Sequence, residues 1–395
     1  MTALSILSAL IGLIIYPYVI RMTGKVAYGT YVYAFTIATF FQVIMDFGFD
    51  SPCAKAIVEA RENLLERSRI VTSVLTLKLC LIAACGLVFA LFVWFIPFMH
   101  NNSLLCLVTF IQLAATSLFP VWYFQGLKKM KHVTYINLTL RIATIPLIIW
   151  LVRTPEHINR YALIVMASIV TGTLISYLYL LQDGIRLQRI TQQRLKRLIS
   201  DATPFFATSI TGVLKSLSVK TIIKQFFGVG EVAVYDLAEK IITIPRYFTQ
   251  NINAALFPEV VANATPERVQ RILKYERGIG TCFTAVIALL SYPAVLILGG
   301  QQMIDAVYIT AMLSTSIYTW LVVGAYINFV FIPANRYYII TINQIIAFAT
   351  CVLFALAGLL LWNHIMMVAL GLMLSGFVEV FFCRYYSRHK LYNRI

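Results

Sequence analysis

Charge is what this sequence has least of, and negative charge above all. Only 12% of its 395 residues are Asp, Glu, Lys or Arg, and 16 acids face 32 bases. A soluble globular chain carries about a quarter charged residues, because it must clothe itself in polar surface. This chain has too little to do so, and much of its surface must meet lipid. Glycine and proline are also modest, 19 and 12, which excludes a fibrous or low-complexity chain. The seven cysteines (Cys53, Cys80, Cys85, Cys106, Cys282, Cys351 and Cys383) form no CxxC pair and have no histidine at ligand spacing. Neither a disulfide framework nor a metal site is indicated; most lie in apolar runs, where a thiol behaves as a small hydrophobe. A P-loop, an HExxH and a GxSxG are all missing, so the sequence offers no nucleotide-hydrolysing, zinc-protease or serine-hydrolase signature.

What is present is length in apolar runs. A hydrocarbon core of about 30 Å takes roughly 20 helical residues to cross. Twelve runs of that order occur, at 3–20, 28–49, 70–95, 103–124, 133–152, 161–181, 203–228, 232–256, 278–298, 305–331, 338–361 and 365–385. The first has no charged lead and no small-residue cleavage site before Tyr16-Pro17, and it reads as a retained span, not a signal peptide.

The net charge of +16 would suggest nucleic acid in a soluble protein. Here its distribution gives another reading. One set of loops holds Lys55, Arg61, Arg67, Arg69, Lys128, Lys129, Lys131, Arg186, Arg189, Arg194, Lys196, Arg197, Arg268, Arg271, Lys274, Arg277, Arg336, Arg384, Arg388, Lys390 and Arg394. The opposite set holds Arg21, Lys25, Arg153 and Arg160. Cytoplasmic loops collect Lys and Arg, so both termini are expected in the cytoplasm, and the charge needs no nucleic acid.

The organisation expected is an N-terminal six-helix bundle at 1–182, a basic amphipathic cytoplasmic linker at 183–202, and a second six-helix bundle at 203–395. Within the linker, DGIRLQRITQQRLKRLIS alternates apolar and basic side chains at roughly helical spacing. It reads as an interfacial helix on anionic lipid, the alternative being a solvated basic linker. Gly24-Lys25-Val26-Ala27 recurs as Gly230-Glu231-Val232-Ala233, and Pro52 as Pro258, both at an offset of 206. Six spans preserve orientation, so the halves are expected to be parallel repeats about an axis along the membrane normal.

Charges inside spans are costly, roughly 2.5–3.5 kcal/mol on insertion scales, and usually face a cavity or a partner. They are Asp46, Lys78, Arg141, then Lys215, Lys220 and Lys224 on span seven, Asp236, Glu239, Lys240 and Arg246 on span eight, and Glu379 on span twelve. Lys220 and Lys224 share a helix face and repel unless an anion lies between them. Two readings stand: a phosphate-binding basic cavity, or pairing with Asp236 and Glu239. Asp46, Asp236, Glu239 and Glu379 are candidates for carrying a coupling ion, the alternative being salt bridges or helix-end contacts. Trp122-Tyr123-Phe124 and Tyr385-Tyr386 fall at expected membrane interfaces, where aromatic belts form.

Several segments resemble one family. PYVIRMTGKVAYGTYVYA at 17–34, DFGFDSP at 46–52, PVWYFQGLKKMKHVTYIN at 120–137, YDLAEKI at 235–241 and Phe257-Pro258 are similar to bacterial O-antigen flippases. These are the polysaccharide-transport branch of the multidrug, oligosaccharidyl-lipid and polysaccharide exporter superfamily. The matching positions are Pro17, Arg21, Gly24, Tyr28, Gly29, Asp46, Gly48, Trp122, Gln125, Gly126, Met130, Lys240 and Pro258. Family members usually carry a longer polar lead-in than this chain shows.

The resemblance implies an all-α integral membrane protein of the bacterial cytoplasmic (inner) membrane, with about twelve transmembrane helices in two six-helix bundles. It implies alternating access, a cationic lumen, proton or sodium coupling and no bound cofactor. The cargo implied is an undecaprenyl-diphosphate-linked O-antigen unit, flipped from the cytoplasmic to the periplasmic leaflet. Besides membrane lipid, an O-antigen polymerase and a chain-length regulator are the partners to expect. On this reading Lys215, Lys220 and Lys224 hold the diphosphate, with Arg141, Lys78 and Lys240 nearby and Arg21 at the outer mouth. Two rivals differ in kind. A multidrug or cation antiporter of the same superfamily would want an acidic cavity. A membrane-embedded polysaccharide polymerase would want a large periplasmic loop, whereas the longest outer loop expected here is about ten residues.

Overall fold

The computed structural model describes residues 2–262, 266–334 and 336–390, with side chains undescribed at 2–14, 247–262, 266, 268, 337 and 388–390. Among the described residues every regular element is helical. In chain order these are α1 (Thr2–Asp46), α2 (Asp50–Glu59), α3 (Leu64–Phe95), α4 (Pro97–Asn101), α5 (Ser103–Leu118), α6 (Val121–Gly126), α7 (Met130–Leu151), α8 (Ile158–Gln182), α9 (Gln192–Phe227), α10 (Val229–Ala262), α11 (Pro266–Gly299), α12 (Ala306–Tyr326), α13 (Tyr337–Leu361) and α14 (Ile365–Lys390).

The twelve apolar runs all fall on helix. The first two share α1, which breaks at Gly24 with φ 74° and ψ 167°, a region only glycine enters freely. The rest occupy α3, α5 and α7 to α14. Among the described residues, nine helices are long and apolar enough to span a membrane by composition alone, with α1 continued through α2 as one of them. One of the three fewer is the pair of runs that share α1; the other two are α9 and α10, whose lysines and acids dilute their apolar content. In the second half Gly228 (φ 88°), at the α9–α10 joint, and Gly300 (φ 71°), after α11, take positive φ. Gly228 stands two residues before the Gly230 that the repeated motif singles out.

The chain forms two compact units, residues 1–213 and 214–395, and the division falls within α9. In the first unit α5 packs on α8 and α1, α7 pairs with α8, and α6 lies on α2. Its core joins Phe49, Cys53 and Ile57 to Trp122, Tyr123 and Phe124. These three aromatics are 3%, 0% and 1% exposed, so they are core residues, not an interfacial belt. The cause is α6, a single short helix that turns all three inward against α2 and α3. Tyr385, by contrast, is exposed. In the second unit α12 lies against α10, α11 and α14, and its sequence, AVYITAMLSTSIYTWLVVGAY, carries no charge at all.

The basic segment after α8 forms no separate surface helix. Gly184 takes φ 81°, residues 185–190 form no regular secondary structure, and Ile185 buries to 4% exposure. The strap is pinned to α3 by backbone donors: Arg186 N–H to Ser68 Oγ at 3.3 Å and Gln188 N–H to Thr72 Oγ1 at 3.1 Å. Helix begins only at Gln192 and continues unbroken into the seventh apolar run. Its first turn is tied to α3 by Arg194 on the Glu66 carboxylate.

Candidate functional site

Lys220 is the centre of the densest charge cluster. It sits on α9 with Val219 and Ile223, all three buried, so the helix carries it inward with its apolar face. Its ammonium lies 3.1 Å from Asp236 Oδ1 and 2.9 Å from Glu239 Oε2, both on α10. Lys240, one turn along from Asp236, closes on the second Asp236 oxygen. Asp236 is 6% exposed and Lys220 7%. A fully buried charge of either sign is tolerated only when paired and hydrogen-bonded, and each charge here answers another. The Gly228 joint makes this possible by turning α10 back along α9, so residues 16 apart in the chain meet.

Lys215, on the same helix, goes elsewhere. Its ammonium reaches Glu379 Oε1 on α14 at 2.9 Å. The other Glu379 oxygen accepts from Asn343 Nδ2 on α13 at 3.5 Å. Five residues in a helix is 1.4 turns, so Lys215 and Lys220 present to different neighbours. Lys224 follows Lys220 by one turn and is half-buried. Arg246, further along α10, donates to Ser316 Oγ on α12 at 2.5 Å and stands over the Trp320 ring, 5.4 Å from its centroid.

The first unit holds its own buried lysine. Lys78 of α3 is 3% exposed. It donates to the Ser117 carbonyl at 2.6 Å and to Asp46 Oδ1 at 3.1 Å, with Asp50 at 3.8 Å. Ser117 sits where α5 ends, so its carbonyl belongs to a helix terminus without an intrahelical donor. Arg21 and Arg141 are exposed positions in the same unit.

The structure therefore brings together Lys220, Lys240, Asp236 and Glu239, and separately Lys215 with Glu379, and Lys78 with Asp46. It does not bring the three α9 lysines onto one anion. Of the two sequence readings of Lys220, pairing with Asp236 and Glu239 is the arrangement present. Sequence reasoning missed Asn343, Ser117 and Asp50 as partners; the first two are uncharged, and nothing local marks them. It also missed Glu276, assigned by hydropathy to a loop. Here α11 starts at Pro266, and Glu276 is 1% exposed. The spacing of Val269, Leu273, Glu276 and Gly280 on one helix face was the available signal.

The comparisons with known proteins agree with one another. Residues 1–263 match the sequence model described as polysaccharide biosynthesis protein. The chain is 22% identical over 298 residues to a protein of Escherichia coli (strain K12) named "Putative O-antigen transporter", covering 75% of this chain and 71% of that one. It is 24% identical over 253 residues to a Shigella dysenteriae protein of the same name, covering 62% of each. In fold it resembles the lipid II flippase MurJ in an inward closed conformation, with TM-score 0.74, 13% identity, and 98% of this chain and 87% of that chain covered. An inward-facing multidrug resistance transporter of the MATE family and MOP superfamily gives TM-score 0.68 at 14% identity, covering 95% and 97%.

Proposed function

We propose, from the premise that this chain belongs to the polysaccharide biosynthesis protein family, that it flips an undecaprenyl-diphosphate-linked O-antigen unit from the cytoplasmic to the periplasmic leaflet by alternating access. That it is a multi-pass membrane protein of a transporter family follows from the helices and the relatives. Placing it in a bacterial inner membrane with both termini cytoplasmic rests on the loop cations.

The carrying observation is the Lys220–Asp236–Glu239–Lys240 cluster. A membrane protein seldom keeps four ionised side chains on two of its helices for packing alone, because a buried ion pair adds little net stability over an apolar one. A diphosphate is an anion like a carboxylate, and ammonium groups bind either. On entering, the headgroup competes with Asp236 and Glu239 for Lys220 and Lys240, and Lys224, a turn away, adds charge to the same face. A displaced carboxylate loses its lysine, and taking up a proton or a sodium ion restores neutrality. Asp236 and Glu239 thereby serve as the coupling acids, while Lys215–Glu379 and Lys78–Asp46 offer the same exchange elsewhere. Arg21 and Arg141, both exposed, are placed for contact with the sugar or with lipid phosphate.

A chromosomal deletion tests the function. Complete lipid-linked units should accumulate in the cytoplasmic leaflet, and surface polysaccharide should disappear. Restoring the gene with Lys220 and Lys224 both changed to Ala should leave protein in the membrane without restoring the polysaccharide. Units accumulating on the periplasmic side instead would point to a polymerase and overturn the reading.

A further inference from the structure

Glu276 is the one carboxylate among the described residues that lies buried with both oxygens free of any hydrogen-bond partner. Its surroundings explain why none is at hand. Val269 and Leu273, on the same face of α11, pack with Val322, Val323 and Tyr326 of α12. One turn further on, a Cβ added to Gly280 would stand 3.1 Å from the Tyr318 backbone. Glu276 lies between these two contacts, so it enters the α11–α12 seam where the helices are close. The α12 side of that seam offers no charge, and its titratable groups there are Tyr318 and Tyr326. Tyr326 is engaged by Arg277, whose Nη2 donates to its hydroxyl at 3.1 Å. Of the other elements in this core, α14 brings Cys383 and Tyr386; Tyr386 bonds Tyr338 of α13 at 2.7 Å, and Tyr338 in turn accepts from Arg336 Nη1 at 3.4 Å. The α10 stretch 247–262 has Tyr247 and Glu259 in its sequence, with side chains outside the described residues.

An ionised carboxylate in such a seam carries a charge that no hydrogen bond from a described residue offsets. We infer that Glu276 is a proton-binding site, occupied while the α11–α12 seam is closed and emptied when the seam opens to water. The exchange is one proton per opening: the carboxyl O–H breaks, the proton passes to water, and the carboxylate keeps the electron pair. On the outer face of α11, Arg271 and Lys274 line a groove with one acid, Glu267, beside Tyr275 and Gly278, so its balance is cationic. Those cations lie within about a turn and a half of Glu276 along the helix, and they favour the anion only once water and motion bring them to it. The site differs from the lysine-paired acids of the proposed cargo site. It rests on the flippase reading only in what the released proton would drive.

Dicyclohexylcarbodiimide, which modifies protonated carboxyls in apolar surroundings, tests the site directly in the purified full chain in lipid nanodiscs. The expected result is modification of the Glu276 peptide at acidic and neutral pH, falling at least several-fold in alkaline buffer, and absent in Glu276→Gln. A second readout needs no reagent access: the infrared difference between wild type and Glu276→Gln should contain a protonated carboxyl C=O band. A carboxylate band in its place, or a Glu276 peptide recovered unmodified at every pH, overturns the proposal. Neither measurement involves the cargo, so the site can fail while flipping survives, and the reverse.

Discussion

Lys215 and Glu379, 164 positions apart in the chain, meet at 2.9 Å and tie α9 to α14. Both side chains are largely buried. Removing one partner leaves the other charge stranded, which typically costs about 3–5 kcal/mol for a buried pair. Lys215→Ala and Glu379→Ala should each lower the melting temperature in detergent markedly. The exchanged pair, Lys215→Glu with Glu379→Lys, should recover most of that loss. Additive losses in the exchanged variant would show that the two side chains act independently.

Lys220 makes a sharper functional test than Lys215, because two carboxylates depend on it. Lys220→Met keeps the stem and removes the charge. Surface polysaccharide should fall at least tenfold at equal protein level, measured by gel and immunoblot. Asp236→Asn with Lys220→Met should restore folding stability without restoring export. If export returned with stability, the cluster would be a structural clamp and not a cargo site.

At Gly24 the constraint is conformational. Nothing lies within 4 Å of a Cβ built there, so Gly24→Ala meets no clash, only the backbone. With φ 74° and ψ 167°, a side chain should cost about 1–3 kcal/mol. The expected outcome is a lower melting temperature for Gly24→Ala, while Gly212→Ala, in an open helical position, should be neutral or slightly stabilising. Equal effects at both sites would contradict this account of the α1 joint.

Lys78 anchors the first unit through a carbonyl as well as carboxylates. Lys78→Met should destabilise it by leaving Asp46 and the Ser117 carbonyl without their donor. Lys78→Arg should recover little, since the longer, planar guanidinium does not fit a point-charge site. Hydrogen exchange over 110–120 and 40–50 is the measurement, with faster exchange expected in both stretches. Unchanged exchange would mean that other contacts hold this corner.

Much of the fold was legible because crossing a bilayer imposes a length. The twelve runs land on helix even where Lys220 and Asp236 interrupt them, since a long apolar majority survives two or three charges. The site was legible only as residue types. That Lys220 would choose Asp236 and Glu239 follows from the Gly228 joint and the three-residue spacing of the two acids, and sequence could offer it as one of two outcomes. That Lys215 would choose Glu379 depends on how α9 and α14 pack, and no local pattern carries that information. Trp122, Tyr123 and Phe124 look like interface residues because aromatics are common there; only the short α6 turns them into a core. Glu276 was hidden by its basic neighbours, Lys274 and Arg277, which made a helix face read as a loop.

The strap at 185–190 is held by its main chain, with the hydroxyls of Ser68 and Thr72 receiving its amides. An anchor of that kind is blind to most side chains on the strap, proline apart. Arg186 and Gln188 are thus free to drift among relatives while the path of the peptide stays put, and the burden of invariance shifts to two small residues on another helix. Variation tolerated on one side of a contact and forbidden on the other is the evolutionary signature this arrangement should leave.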